Sequence, residues 1–220
     1  MGLGNEDIKL LLNLRKQFKS GKTCAILGDC TFHFNNGSKE NFKNLMNFDT
    51  VHTFDINGNP DYKLDLQESL TDTFKNKYDW VIDAGTLFCI FDIASAWKNI
   101  LYMLSDNGYI WHQSNLVGHF GRSFYAFSPS VFNEFYKANG FEVKLMGYFI
   151  KGGKNTWQSL DVDCNYMSSA NMNEIKFVKN NCSVRQPIPC DTSLMCFAEK
   201  KHIIKFKKPI PEHYIKTNGK

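Results

Sequence analysis

The chain has 220 residues, 43% of them hydrophobic and 22% charged, with a formal net charge of +4. That is enough chain for one domain with a sizeable core, too little charge to imply nucleic acid by itself, and without any apolar run near the roughly twenty residues of a membrane span. Seven cysteines with no C-x-x-C pair suit a reducing cytoplasm, and the spacing of Cys164, Cys182 and Cys190 matches no common zinc pattern.

The opening "MGLGNEDIKLLLNLRKQF" carries acids early and lacks the apolar centre of a signal peptide. Ile8, Leu11, Leu12 and Phe18 recur at near-helical spacing, so residues 5–19 read as an amphipathic helix closed by Ser20-Gly21. "TCAILGD", residues 23–29, is a short apolar run that suits a buried parallel strand. Residues 38–48 read as a weaker helix and "VHTFD", residues 51–55, as a second strand, broken by Asn57-Gly58-Asn59-Pro60. A short third strand is expected to end at Asp65. "YDWVIDAG", residues 78–85, is the strongest strand signal, and Ile93, Ala96 (or Trp97), Ile100, Leu101 and Leu104 then share one helical face, with Asp92 in the first turn.

Asp106-Asn107-Gly108 reads as a turn into the strand "YIWHQS". Ser128 as N-cap, Pro129 at the first helical position and Asn139-Gly140 as the stop frame another helix. The alternation of Phe141, Val143 and Leu145 marks a strand, and "SLMCFAEK", residues 193–200, closes the pattern. Between these last two strands lies a polar connection, residues 151–191, long enough to serve as a lid or an oligomer contact.

Strands alternating with helices at this rhythm predict an α/β fold, a three-layer sandwich around a mostly parallel sheet in a single domain. Ligands of such sheets bind beyond the carboxyl ends of the strands. The residues expected there are Gly28-Asp29-Cys30, Asp55-Ile56, Asp65-Leu66, Asp83-Ala84-Gly85 and His112-Gln113. Clustered carboxylates repel unless donors or a cation lie among them. Asp55, about twenty to thirty residues after the first turn, stands where a carboxylate can accept both hydroxyls of a ribose. Asp65 stands where an adenine amino group would donate to it. Taken singly, each aspartate reads as a turn cap; taken together, at successive strand ends, they read as a site.

Two stretches, "DAGTLFCIFD" from Asp83 and "GRSFYAFSP" from Gly121, follow the patterns D-x-G-x-L-x-x-x-F-D and G-x-x-F-Y-x-F-S-P. With the order of elements, they make the chain resemble the class I S-adenosylmethionine-dependent methyltransferases of small-molecule type, over residues 20–150 and 193–200. The resemblance implies a Rossmann-like sheet of seven strands with an antiparallel last strand between the fifth and sixth. It implies S-adenosylmethionine as cofactor, bound along Gly28, Asp29, Cys30, Asp55, Ile56, Asp65, Leu66, Asp83, Ala84 and Gly85, with Asp55 on the ribose, Asp65 and Leu66 bordering the adenine, and Asp83, Ala84 and Gly85 beside the methionine end and the acceptor. His112 or His119 would be the base, and Tyr125 would orient the acceptor.

The chain departs from the family's glycine-rich first turn. It reads "GDCTFHF", with only Gly28, and with Phe32 and His33 where a close approach is expected. Either the turn has another shape, or the protein is a non-catalytic, methyltransferase-like module for binding or assembly. A nicotinamide-dependent reductase needs a glycine-rich turn too. The D/N-P-P-Y/F signature of nucleic-acid amino-methylating enzymes is replaced by "DAGT". A small-molecule substrate, no nucleic acid, no membrane and a possible homodimer complete the expectation.

Overall fold

A two-residue alternation along the strands sorts the apolar side chains onto the two faces of one sheet. Seven strands form its body: β1 (Thr23–Leu27), β2 (Thr50–Asp55), β3 (Tyr62–Lys63), β4 (Tyr78–Asp83), β5 (Leu104–Val117), β6 (Phe141–Ile150) and β7 (Thr192–Lys200). Their order is β3-β2-β1-β4-β5-β7-β6. β1 to β5 run parallel, and β7 runs antiparallel to both its neighbours. A short edge strand, Gln158–Leu160, adds to β6, and was not expected. The computed structural model describes residues 2–119, 121–150, 158–160, 166–168, 174–179, 182–187, 191–201 and 205–210. Much of the 151–191 connection, with Cys164 and Cys190, and the basic end beyond Ile210 therefore lie outside the described residues. Within that connection, Tyr166–Ser168, Glu174–Lys179 and Cys182–Pro187 form a separate antiparallel sheet.

Among the described residues four α-helices cover the faces: α1 (Asn5–Gln17), α2 (Lys39–Leu45), α3 (Ile93–Met103) and α4 (Pro129–Ala138). Cys24, Ile26, Trp80, Ile82 and Trp111 pack in one cluster with Leu11 of α1 and Phe42 of α2. Ala25, Leu27, Val81 and Ile110, one position along, pack with Ala96, Trp97, Phe132 and Phe135 of α3 and α4. No helix among the described residues is long and apolar enough to cross a membrane.

Local chemistry sets the ends. α1 begins where the Gly4 N–H donates to the Asp7 carboxylate at 2.8 Å, with acids in its first turn and Arg15 and Lys16 in its last. It stops two residues before the predicted end because Phe18 leaves helical geometry to pack on Tyr109 and Phe197, at 5.4 and 5.2 Å. α2 starts at Ser38, whose hydroxyl accepts the Asn41 N–H. It is shorter than the predicted 38–48 because Asn47, at φ +54°, turns the chain. The third strand is only two residues long, so Asp65 follows it rather than ending it. β5 is longer than expected, since the predicted Asp106–Gly108 turn lies inside it.

Arg15 fastens the α1 layer. Buried, it donates to the carbonyls of Met46 (3.0 Å), Ser20 (2.7 Å) and Gly21, and its guanidinium lies 4.7 Å from the Phe48 ring centroid and 5.5 Å from that of Trp80. Arg15→Met keeps the stem but orphans these acceptors, and is expected to lower the unfolding free energy by about 2–4 kcal/mol in urea denaturation. A change below about 0.5 kcal/mol would show that water replaces the guanidinium without penalty.

Candidate functional site

The first turn has a shape that its sequence did not announce. Gly28 takes φ +97°, a region that side chains disfavour, and its N–H donates to the Phe54 carbonyl at 2.6 Å. No helix follows directly. Thr31–His33 instead pairs in parallel with Gly2–Gly4 near the chain start. The close backbone approach occurs there: a Cβ on Gly2 would stand 2.5 Å from His33 Cδ2 and 2.6 Å from the Thr31 carbonyl oxygen. The crowding expected from Phe32 does not occur on the rim, because its ring turns onto Phe42 at 5.4 Å and Phe34 at 6.1 Å. His33 is exposed. Cys30 is buried, and burial pushes its thiol pKa up to about 12, so it is no thiolate nucleophile.

The rim aspartates are held by backbone amides. The Asp29 N–H donates to Asp55 Oδ2 at 2.7 Å, and the Asn57 N–H to Asp55 Oδ1 at 3.1 Å. Asp29 Oδ2 accepts the Asn59 N–H at 3.0 Å. Asp65 Oδ1 accepts the Gln67 N–H at 2.9 Å and both its oxygens face Gln67 Nε2. Each carboxylate thus meets donors, which answers the expected repulsion, and turn capping accounts for part of every one. Capacity remains at Asp55, since a carboxylate offers about four acceptor positions and two amides occupy two. Beside it, Ile56 is 53% exposed. Leu66 corrects the expectation: it is a core residue packed on the α3 side, and its carbonyl accepts from Asn99 at 2.7 Å.

Asp83 and His112 also differ from expectation, because both are fully buried. Asp83 Oδ1 accepts the N–H groups of Thr86 (2.7 Å) and Leu87 (3.2 Å), while Oδ2 lies 2.8 Å from His112 Nδ1. His112 Nε2 pairs with the hydroxyl of buried Tyr136 on α4. With both ring nitrogens engaged and no exposed surface, His112 does not reach an acceptor, and Asp83 is turned away from the surface as well. Burial raises the Tyr136 pKa well above its usual value, which keeps that phenol neutral. Tyr125 is placed elsewhere as well: its hydroxyl donates to the Phe91 carbonyl at 2.6 Å and its ring stacks on Phe127. The N–H groups of Phe124 and Tyr125 donate to the Phe88 carbonyl, so the loops after β4 and β5 clasp each other.

Above these loops opens a cleft of about 470 Å³. Ala84 and Gly85 form one wall at the end of β4, and His119 stands in another. The His119 ring packs 5.4 Å from that of Phe88, and its Nε2 lies 3.8 Å from Asp191 Oδ1. Gln113 and Ser114 at the end of β5, and Arg122 in the following loop, also line it, as does Gly2. Sequence reasoning named Gln113 only as a strand end and missed Gly2, Ser114, Arg122 and Asp191. One signal for Asp191 was present: an antiparallel last strand brings its start, not its end, to this rim.

No family model and no curated protein matches the sequence. Solved structures do match in shape. A candidate methyltransferase of Bacillus halodurans superposes with a TM-score of 0.55 at 11% identity, over 89% of this chain and 99% of that one. The branched-chain polyamine synthase of Thermus thermophilus, in complex with N4-aminopropylspermidine and 5′-methylthioadenosine, gives 0.54 at 11% identity, over 96% of this chain and 60% of that one. The N-methyltransferase NodS of Bradyrhizobium japonicum, bound to S-adenosylhomocysteine, gives 0.51 at 11% identity, over 90% and 89%. With its strand order and its reversed last strand, the chain has the Rossmann-like α/β fold of the class I S-adenosylmethionine-dependent methyltransferases.

Proposed function

We propose that the protein transfers a methyl group from S-adenosylmethionine to the oxygen or nitrogen of a small-molecule acceptor. The observation that carries this reading is Asp55 at the end of β2, half-buried with acceptor capacity to spare, beside exposed Ile56. The cofactor, when bound, supplies a sulfonium methyl. Asp55 accepts from the ribose hydroxyls, Ile56 covers the base, and Asp65 exchanges Gln67 Nε2 for the adenine amino group. Gly28, free of a side chain at φ +97°, leaves room on the first turn. Ala84 and Gly85 border the methyl-bearing end and the acceptor. His119 takes the acceptor's proton at Nε2, and Asp191, 3.8 Å away, stabilises the imidazolium. Most of the protein's contribution is alignment of nucleophile and methyl.

A second reading, a non-catalytic binding or assembly module, is favoured by one observation. Both Asp55 oxygens and one of Asp29 already accept from loop amides, so the rim needs no ligand to be satisfied. Calorimetry with S-adenosylhomocysteine separates the two. Saturable binding is expected, with a rise in melting temperature equivalent to about 2.7 kcal/mol at a hundredfold excess over Kd. Absence of heat and of any thermal shift at millimolar ligand would leave the module reading. Asp55→Ala is expected to weaken the same binding by about 1.5–3 kcal/mol, roughly 10- to 150-fold, and unchanged affinity would remove Asp55 from the site. Gly28→Ala forces a side chain into left-handed backbone and is expected to cost about 1–2 kcal/mol of stability in urea denaturation.

A further inference from the structure

Buried polar atoms seldom lack a hydrogen bond, because their lost hydration is then uncompensated. Two that lack one among the described residues belong to residues lining the cleft: Gln113 Oε1 and Ser114 Oγ. Ser114 is 1% exposed, so water does not readily take the place of a partner. An amide oxygen only accepts, so Gln113 calls for a ligand that donates. The remaining surfaces narrow the ligand further. Phe88 and Phe149 give the cleft aromatic surface, and exposed Arg122 stands in it with a guanidinium suited to a carboxylate.

We infer that the cleft binds an aromatic acid carrying a hydroxyl or amino group, which donates to Gln113 Oε1 while the carboxylate meets Arg122. This deepens the methyl-transfer reading and rests on it only in making that molecule the acceptor. The binding claim stands on the cleft alone.

Three probes test it on the full chain by ligand-observed NMR titration, with and without S-adenosylhomocysteine. 4-Hydroxybenzoate has both groups, 4-methoxybenzoate lacks the donor, and methyl 4-hydroxybenzoate lacks the charge. 4-Hydroxybenzoate is expected to bind at least about tenfold more tightly than either of the others. Gln113→Leu should abolish the preference over the methoxy compound, and Arg122→Ala the preference over the ester. Without any ligand, Gln113→Leu and Ser114→Ala should melt at or above the wild-type temperature, since each removes an unpaired polar atom from the interior. Equal affinities for the three probes, no saturable binding of 4-hydroxybenzoate, or a clear drop in melting temperature for Gln113→Leu would overturn the inference. If the probe preferences hold while S-adenosylhomocysteine does not bind, the methyl-transfer reading fails and this site stands. The reverse pattern sinks the site and spares the reading.

Discussion

Asp83 is a carboxylate with no solvent at the point where β4 ends. Taking it out of water is costly, and the cost is offset only because every direction it faces holds a donor. Two of these are the amides of Thr86 and Leu87, which fix how the chain leaves β4. The third is His112 on β5, itself backed by Tyr136 on α4. One carboxyl group therefore ties two strands and a helix together directly beneath the cleft. Ala84 and Gly85 face the cleft because Asp83, one residue earlier, is anchored inward. Gln113 likewise lines it next to the inward-turned His112.

The rim toward β1 and β2 is built on another principle. Its aspartates are exposed or half-buried and are secured by loop amides, so the β1 turn and the β2 loop hold each other through Asp29 and Asp55. Where the family pattern spends several glycines on one turn, this chain keeps Gly28 and places Gly2 against the adjoining strand, with no room for a side chain. A fold can thus retain its strand order while the contacts around its first turn are rebuilt.

Much of the architecture was legible because it depends on period and punctuation. The strands alternate residue by residue between two clusters, and Asp92, Ser128, Pro129 and Asn139-Gly140 mark helix ends where they occur. The site was less legible. Asp83 and His112 were placed correctly on their strands, yet a sequence does not show that one side chain fills the other's hydrogen-bonding needs. Tyr125 and Leu66 were near the rim but were drawn into contacts with Phe91 and the α3 core. Gly2 and Asp191 come from the far ends of the fold and meet the cleft only through tertiary pairing. The seven-strand count missed Gln158–Leu160, a segment too short to carry a period.

The parallel pairing of Gly2–Gly4 with Thr31–His33 has a practical corollary. Because Gly2 belongs to the wall of the cleft, residues fused ahead of it, such as a purification handle, start beside that cleft. Samples carrying such an extension and samples trimmed of it are different reagents, and assays on the first can report obstruction by the handle instead of the properties of the cleft.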